Sequence, residues 1–288
     1  MVLTGDRRTH LVEVSGRGTL PVTDWSGPPG APVLVLLHGV TIDADTNWSA
    51  VCPALARRYR VITLDLRGHG RGLPVRGRYR LEDCADDVAA VVRALDTGPA
   101  VAVGYSMGGM VAQLFWRRHR DLTAGLVLCS TSRNVTGTWW EQAVSLGMPL
   151  AVSTTRLLAP LFPIGADAIA APLLDAEPDP QARRPALNQM RRTPLATALD
   201  AMHAVSRFSS HEWIGGVDVP TAVLVTRDDR VVPPHRQHRL AAAVPGATTV
   251  EVDGDHGVFL AAPAAFADGL LRACAAVTAT GPKADTAA

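Results

Sequence analysis

Lysine is almost absent from this sequence. Lys283 is the single one, and arginine supplies the rest of the 28 basic residues. The arginines are scattered, and against 27 acidic residues they leave a formal net charge of +1. With no basic cluster, neither nucleic acid nor an acidic membrane surface is an expected partner. Cysteine is scarce too. Cys52, Cys84, Cys129 and Cys274 lie far apart and form no C-x-x-C pair. That excludes the usual signs of a disulfide framework or a metal site, and Cys129, within an apolar run, is expected to pack as a small hydrophobe. No run of 18 apolar residues occurs, so no transmembrane helix is expected. Met1 to Gly16 holds no long apolar core of the secretory-signal kind, so the expected location is the cytoplasm. No internal repeat is visible. What the 288 residues do contain is apolar material, 47% hydrophobic against 19% charged. That suffices for the core of one large α/β domain with an insertion.

One stretch organises the chain. Val101-Ala102-Val103 is a short apolar run fit for a buried strand. Gly104-Tyr105-Ser106-Met107-Gly108 then turns sharply, and Gly109 to Phe115 continues as an apolar-rich helical segment. A serine on so tight a turn has strained backbone angles, and small neighbours keep side chains clear of the flanking strand and helix. The helix aims its free amides and positive dipole end at the same spot. A glycine-rich connection without chemistry, or a pyrophosphate cradle, is the alternative. Against the cradle, Ser106 stands where a dinucleotide fingerprint needs its second glycine, and no acidic residue ends the next apolar run, Leu126-Val127-Leu128-Cys129-Ser130.

Around this stretch, apolar runs alternate with helical patterns. Leu11 to Val14 and Thr19 to Val22 read as short strands, with Gly16 and Gly18 between them. Val33 to Leu37 and Val61 to Asp65 read as strands, and Asn47 is a candidate cap for a helix running to about Tyr59. Leu81 to Leu95 has helical periodicity. The order strand, helix, strand implies a parallel sheet covered on both faces. From about Arg133 to Gly215 the alternation stops. Trp139, Trp140, Phe162, Phe208 and Trp213 fall here, with Pro149, Pro160, Pro163, Pro172, Pro178, Pro180, Pro185 and Pro194 as breaks. The segment is too long for a loop and reads as a helical cap over residues 133–215, set between core parts 1–132 and 216–288. Ordinary packing helices are the plainer alternative. Strands resume at Thr221 to Val225 and Thr248 to Val252, with helices near His235 to Ala243 and Pro263 to Val277.

A serine hydroxyl is a weak nucleophile at neutral pH. It needs a base for its proton, an acid to orient that base, and donors for the oxyanion that forms. Active loops of open parallel sheets lie at the strands' carboxyl ends. Asp228 and Asp229 follow the strand ending near Val225-Thr226, and His256 follows the one ending near Val252. His235 and His238 lie on a helical segment and read as surface residues. Adjacent residues leaving a strand point to opposite sides, so periodicity leaves Asp228 and Asp229 both open.

These residues carry a resemblance. His38-Gly39, Asp65-Leu66-Arg67-Gly68-His69-Gly70, Gly104-Tyr105-Ser106-Met107-Gly108-Gly109, Asp229-Arg230-Val231-Val232-Pro233 and Gly254-Asp255-His256 together resemble the capped, cofactor-free branch of the α/β-hydrolase fold superfamily. The resemblance implies a mostly parallel twisted sheet with helices on both faces and an inserted helical cap. It makes Ser106 the nucleophile at the elbow and His256 the base. The spacing of four residues before Pro233 selects Asp229 as the acid. The oxyanion donors become the backbone amides of Val40 and Met107. His38 and the Arg67–Gly72 loop are read as loop-shaping. Serine at the elbow separates the chain from the relatives that use aspartate there. No metal and no organic cofactor are implied.

The implied reaction is cleavage of a carboxylic ester through an acyl-enzyme. The apolar cap, with Trp139 and Trp140 as candidate pocket residues, suggests a small, largely apolar substrate. The same three residues serve thioesters, lactones, C–C bonds of diketones and perhydrolysis in the cofactor-free haloperoxidases. A ligand receptor or a non-hydrolytic biosynthetic protein can also retain them.

Overall fold

The computed structural model describes residues 7–135, 139–159, 161, 164–170 and 180–279. In chain order they form β1 (Arg7–Val14), β2 (Gly18–Trp25), β3 (Val33–Leu37), α1 (Ala44–Trp48), α2 (Cys52–Leu55), β4 (Arg60–Leu64), α3 (Leu81–Ala94), β5 (Ala100–Tyr105), α4 (Met107–Arg118), β6 (Thr123–Cys129), α5 (Trp139–Leu158), α6 (Asp167–Ala170), α7 (Pro180–Arg192), α8 (Leu195–Arg207), β7 (Thr221–Thr226), α9 (Pro234–Ala243), β8 (Thr248–Val252), α10 (Val258–Ala261) and α11 (Pro263–Ala279). Eight strands make one sheet in the order β1-β2-β4-β3-β5-β6-β7-β8. β2 runs antiparallel to both of its neighbours, and every pairing from β4 to β8 is parallel.

The continuous apolar runs are explained by burial on both faces. Along β3, Val35 and Leu37 join the core layer that holds α3 and α4, while Leu34 and Leu36 join the layer under α1, α2 and α11. Ala102 of β5 faces the first layer and Val101, Val103 and Tyr105 the second. A strand buried on both faces loses the apolar–polar alternation of a half-exposed one. The four cysteines are free and buried, and burial pushes the Cys52, Cys84 and Cys274 thiols up to about 12, so they pack as neutral small side chains.

The strand order places the site. The chain leaves β3 for β4 on one side and then crosses back to β5 on the other. The connections after β3 and β5 therefore part in opposite directions, the arrangement that in open α/β sheets forms a crevice at the carboxyl ends. His38-Gly39 follows β3 and Ser106 follows β5.

The structure corrects three local expectations. Asn47 does not cap the helix that follows β3. Asp43 does, accepting from the Thr46 amide at 2.8 Å, and Asn47 lies inside α1 with its Oδ1 bonded to the Gly39 amide at 3.0 Å. The expected single helix is also two short ones, because Pro53 opens α2 where its missing N–H costs nothing. Pro149 and Pro185 are not breaks: they lie within α5 and α7.

Between β6 and β7 the described residues form α5 to α8. α5 and α8 are joined by a Ser145–Ser206 hydroxyl pair at 2.8 Å and an Arg156–Asp200 ion pair at 2.6 Å. Asp200 also accepts from the Tyr79 amide at 2.9 Å, which ties this helix pair to the loop before α3. No helix among the described residues is long and apolar enough to cross a membrane.

Candidate active site

Ser106 links β5 to α4 with φ 52° and ψ −114°, a conformation that side-chain-bearing residues avoid. The surroundings hold it there. Its amide donates to the Cys129 carbonyl at 2.9 Å, and its carbonyl accepts from the Gly109 amide at 3.0 Å and the Thr131 hydroxyl at 2.7 Å. The flanking glycines permit backbone-on-backbone contact. A Cβ on Gly104 would lie 2.2 Å from the Gly108 carbonyl oxygen, and one on Gly108 would lie 2.1 Å from that of Leu37. Gly108→Ala should therefore force α4 off β3, at a cost of about 3 kcal/mol or more. A fall in the urea midpoint checks this, and an unchanged midpoint would show that the helix can shift freely.

Ser106 Oγ lies 3.0 Å from His256 Nε2, and His256 Nδ1 lies 2.8 Å from Asp229 Oδ2. His256 sits between β8 and α10, and Asp229 in the turn after β7. The carboxylate is fully enclosed. Its Oδ1 accepts from the Val231 and Val232 amides at 2.9 and 2.8 Å, and its Oδ2 accepts from the Thr226 hydroxyl at 2.9 Å and the Gln237 amide at 3.2 Å besides the imidazole. These donors satisfy the lone pairs of a carboxylate that water does not reach. Asp228 is exposed, and its backbone amide is bonded to the Gly254 carbonyl, so only Asp229 meets the histidine. His235 and His238 are exposed on α9.

The loop after β3 closes against the serine. A Cβ on Gly39 would stand 3.6 Å from that of Ser106. Two side chains shape this loop: Asn47 holds the Gly39 amide, and His38 accepts the Leu66 amide on Nε2 at 2.8 Å. That bond places the ring proton of His38 on Nδ1, which donates to the Gly39 carbonyl at 2.7 Å. Burial pushes His38 down and pushes its neighbour His69 down to about 3, so both rings act as neutral struts. With the Gly39 amide engaged, the next amide in the loop is that of Val40. Neither it nor the Met107 amide donates to a protein acceptor among the described residues. Arg67 lies buried in a paired contact with Asp87 and a further one with Asp83, and Asp65 accepts the Ala44 and Arg71 amides.

Tyr105, Thr226, Gln237 and Asn47 were not among the expected site residues. Tyr105 donates its hydroxyl to the His256 carbonyl at 2.7 Å, and its ring packs on Phe259, Phe266 and Trp48. Burial holds its phenol well above the ordinary range, so it stays a neutral donor. Gln237 carries a signal in hindsight, being polar on the buried stripe of α9 with Leu240 and Ala241. The Trp139 and Trp140 side chains lie outside the described residues. No cluster of three His, Cys, Asp or Glu side chains suited to a metal ion forms among the described residues.

The family model described as the alpha/beta hydrolase fold matches residues 32–263, which run from β3 to the start of α11. The chain belongs to the α/β-hydrolase fold family. Among its α/β-hydrolase relatives is the bifunctional esterase/perhydrolase DCH of Acinetobacter calcoaceticus, 32% identical over 225 residues, covering 73% of this chain and 78% of that one. Solved α/β-hydrolase structures share its fold. A hydrolase from Pseudomonas aeruginosa PA01 superposes with a TM-score of 0.77 at 23% identity, over 93% of this chain and 98% of the other. The enol-lactonase of Burkholderia xenovorans LB400 does so with a TM-score of 0.72 at 24% identity, over 92% and 99%.

Proposed function

We propose that this α/β hydrolase is a serine hydrolase that cleaves carboxylic esters of small, largely apolar substrates. The observation that carries the proposal is the aligned Ser106–His256–Asp229 set, with contacts of 3.0 and 2.8 Å. His256 Nε2 takes the hydroxyl proton as Ser106 Oγ attacks the ester carbonyl. The Val40 and Met107 amides hold the oxyanion. The intermediate collapses, the alcohol leaves with the proton from His256, and an acyl-serine remains. His256 then removes a proton from water, the water attacks the acyl carbon, and the acid is released as Ser106 regains its proton. Asp229 keeps the Nδ1 proton in place and stabilises the imidazolium. The esterase named among the relatives supports the ester as the bond attacked. Its second named activity, perhydrolysis, fits the same acyl-enzyme with hydrogen peroxide in place of water as acceptor.

Residues 133–215 are proposed as a cap over this set, with Trp139 and Trp140 in its apolar wall. The test is a panel of p-nitrophenyl esters of graded acyl length, with thioesters and lactones beside them. Short esters should turn over fastest. Trp139→Ala and Trp140→Ala should change the ranking of acyl lengths at an unchanged thermal midpoint, and an unaltered ranking would make the segment packing only. Tight ligand binding without turnover of any member would favour a receptor instead.

A further inference from the structure

We infer that Gln237 is a positioning residue that tunes the Asp229–His256 pair through a hydrogen bond to the acid; the inference rests on the serine-hydrolase reading. Gln237 is wholly buried, although its α9 neighbours His235, His238 and Arg239 are exposed. Its Oε1 accepts the Thr226 amide at 3.1 Å. Its Nε2 lies 2.7 Å from the Val232 carbonyl, 3.0 Å from Thr226 Oγ1 and 3.2 Å from Asp229 Oδ2. This surrounding fixes the amide orientation, because the flipped form would set its NH2 against an N–H and its oxygen against a carbonyl and a carboxylate. One amide proton goes to Val232, the closest acceptor. The other is shared by Thr226 Oγ1 and Asp229 Oδ2, and Thr226 donates its own hydroxyl proton to Oδ2.

Oδ2 is thus the oxygen that meets His256, and it carries two other donors. Each donor spreads the carboxylate's negative charge and weakens its pull on a proton or an imidazolium. A glutamine that merely filled space between α9 and β7 needs no contact with Oδ2. With the Gln237 donor removed, the carboxylate attracts the imidazolium more strongly, and His256 holds its proton to higher pH. The other charged groups near the pair stay the same. Asp228 and Arg230 flank Asp229 and are exposed, and Asp255 beside His256 is engaged by the Gly257 amide at 2.8 Å. Below the histidine, Tyr105 is a neutral donor to its carbonyl.

The experiment is the rate of Ser106 labelling by a fluorophosphonate, and kcat/KM for p-nitrophenyl acetate, measured against pH in the wild type and in Gln237→Met. The wild type should lose rate on the acid side as His256 is protonated. In Gln237→Met that acid limb should move up by about half a pH unit, a roughly threefold change in proton affinity. Gln237→Glu is the second variant. It keeps the acceptor for Thr226 and sends its one proton to Val232, so a carboxyl oxygen faces Oδ2 and the limb should again move up. A limb that stays in place or moves down in the folded variants overturns the inference, even if the plateau rate falls. If the wild type shows no acid limb, or its limb survives in His256→Ala, the serine-hydrolase reading itself fails and takes this inference with it.

Discussion

Ser106→Ala should leave a folded protein whose ester turnover is lower by about 10⁴-fold or more, because members of a nucleophile–base–acid set act as a unit. The size of the loss follows from the geometry. The hydroxyl lies 3.0 Å from His256 Nε2, and on the proposed mechanism the substitution removes the attacking oxygen itself. The fold should not suffer. The strained turn is held by the Ser106 backbone, through the Cys129 carbonyl and the Thr131 hydroxyl, and the substitution leaves both bonds intact. Initial rates on p-nitrophenyl acetate, taken with the thermal midpoint, check both halves. Activity within tenfold of wild type would mean that another group does the chemistry.

Asp229→Asn should lower turnover by roughly 10³- to 10⁴-fold at nearly unchanged stability. Two backbone amides, of Val231 and Val232, point at Oδ1. An asparagine must place its carbonyl oxygen there, which turns its NH2 toward His256 Nδ1. The imidazole then has to offer a lone pair on Nδ1 and carry its proton on Nε2, facing Ser106. In that tautomer it cannot accept the serine proton. Asp228→Asn should change turnover by less than a few-fold, since that side chain is exposed and its backbone bond to Gly254 survives. Turnover and thermal midpoints of both variants decide the matter. A crippled Asp228→Asn beside an active Asp229→Asn would put the acid one residue earlier.

The parallel strands were legible because burial on both faces writes continuous apolar runs such as Val33 to Leu37 and Thr221 to Val225. The sharp turn at Ser106 was legible because Gly104 and Gly108 are demanded by contacts closer than any Cβ allows. Features set by tertiary partners were not. Asn47 looks like a helix cap by type, yet its acceptor is taken by Gly39 on another loop, and Asp43 caps instead. Pro149 reads as a break, but it lies inside α5, which is held along its length to α8 by the Ser145–Ser206 and Arg156–Asp200 contacts. Tyr105 and Gln237 sit among apolar residues, and their polar atoms gain meaning only when His256 and Asp229 arrive from 151 and 8 residues away. The edge strand β1 and its neighbour β2 extend beyond their apolar cores, to Arg7 and Trp25, because ladder pairing continues where the hydrophobic pattern has ended.

The most direct test of the account is to treat the protein with a fluorophosphonate, digest it and locate the adduct by mass spectrometry. One label per chain, on the peptide that carries Ser106 and lost in Ser106→Ala and His256→Ala, is the predicted result. A label on any other residue, or none on a protein that still hydrolyses p-nitrophenyl acetate, would contradict it.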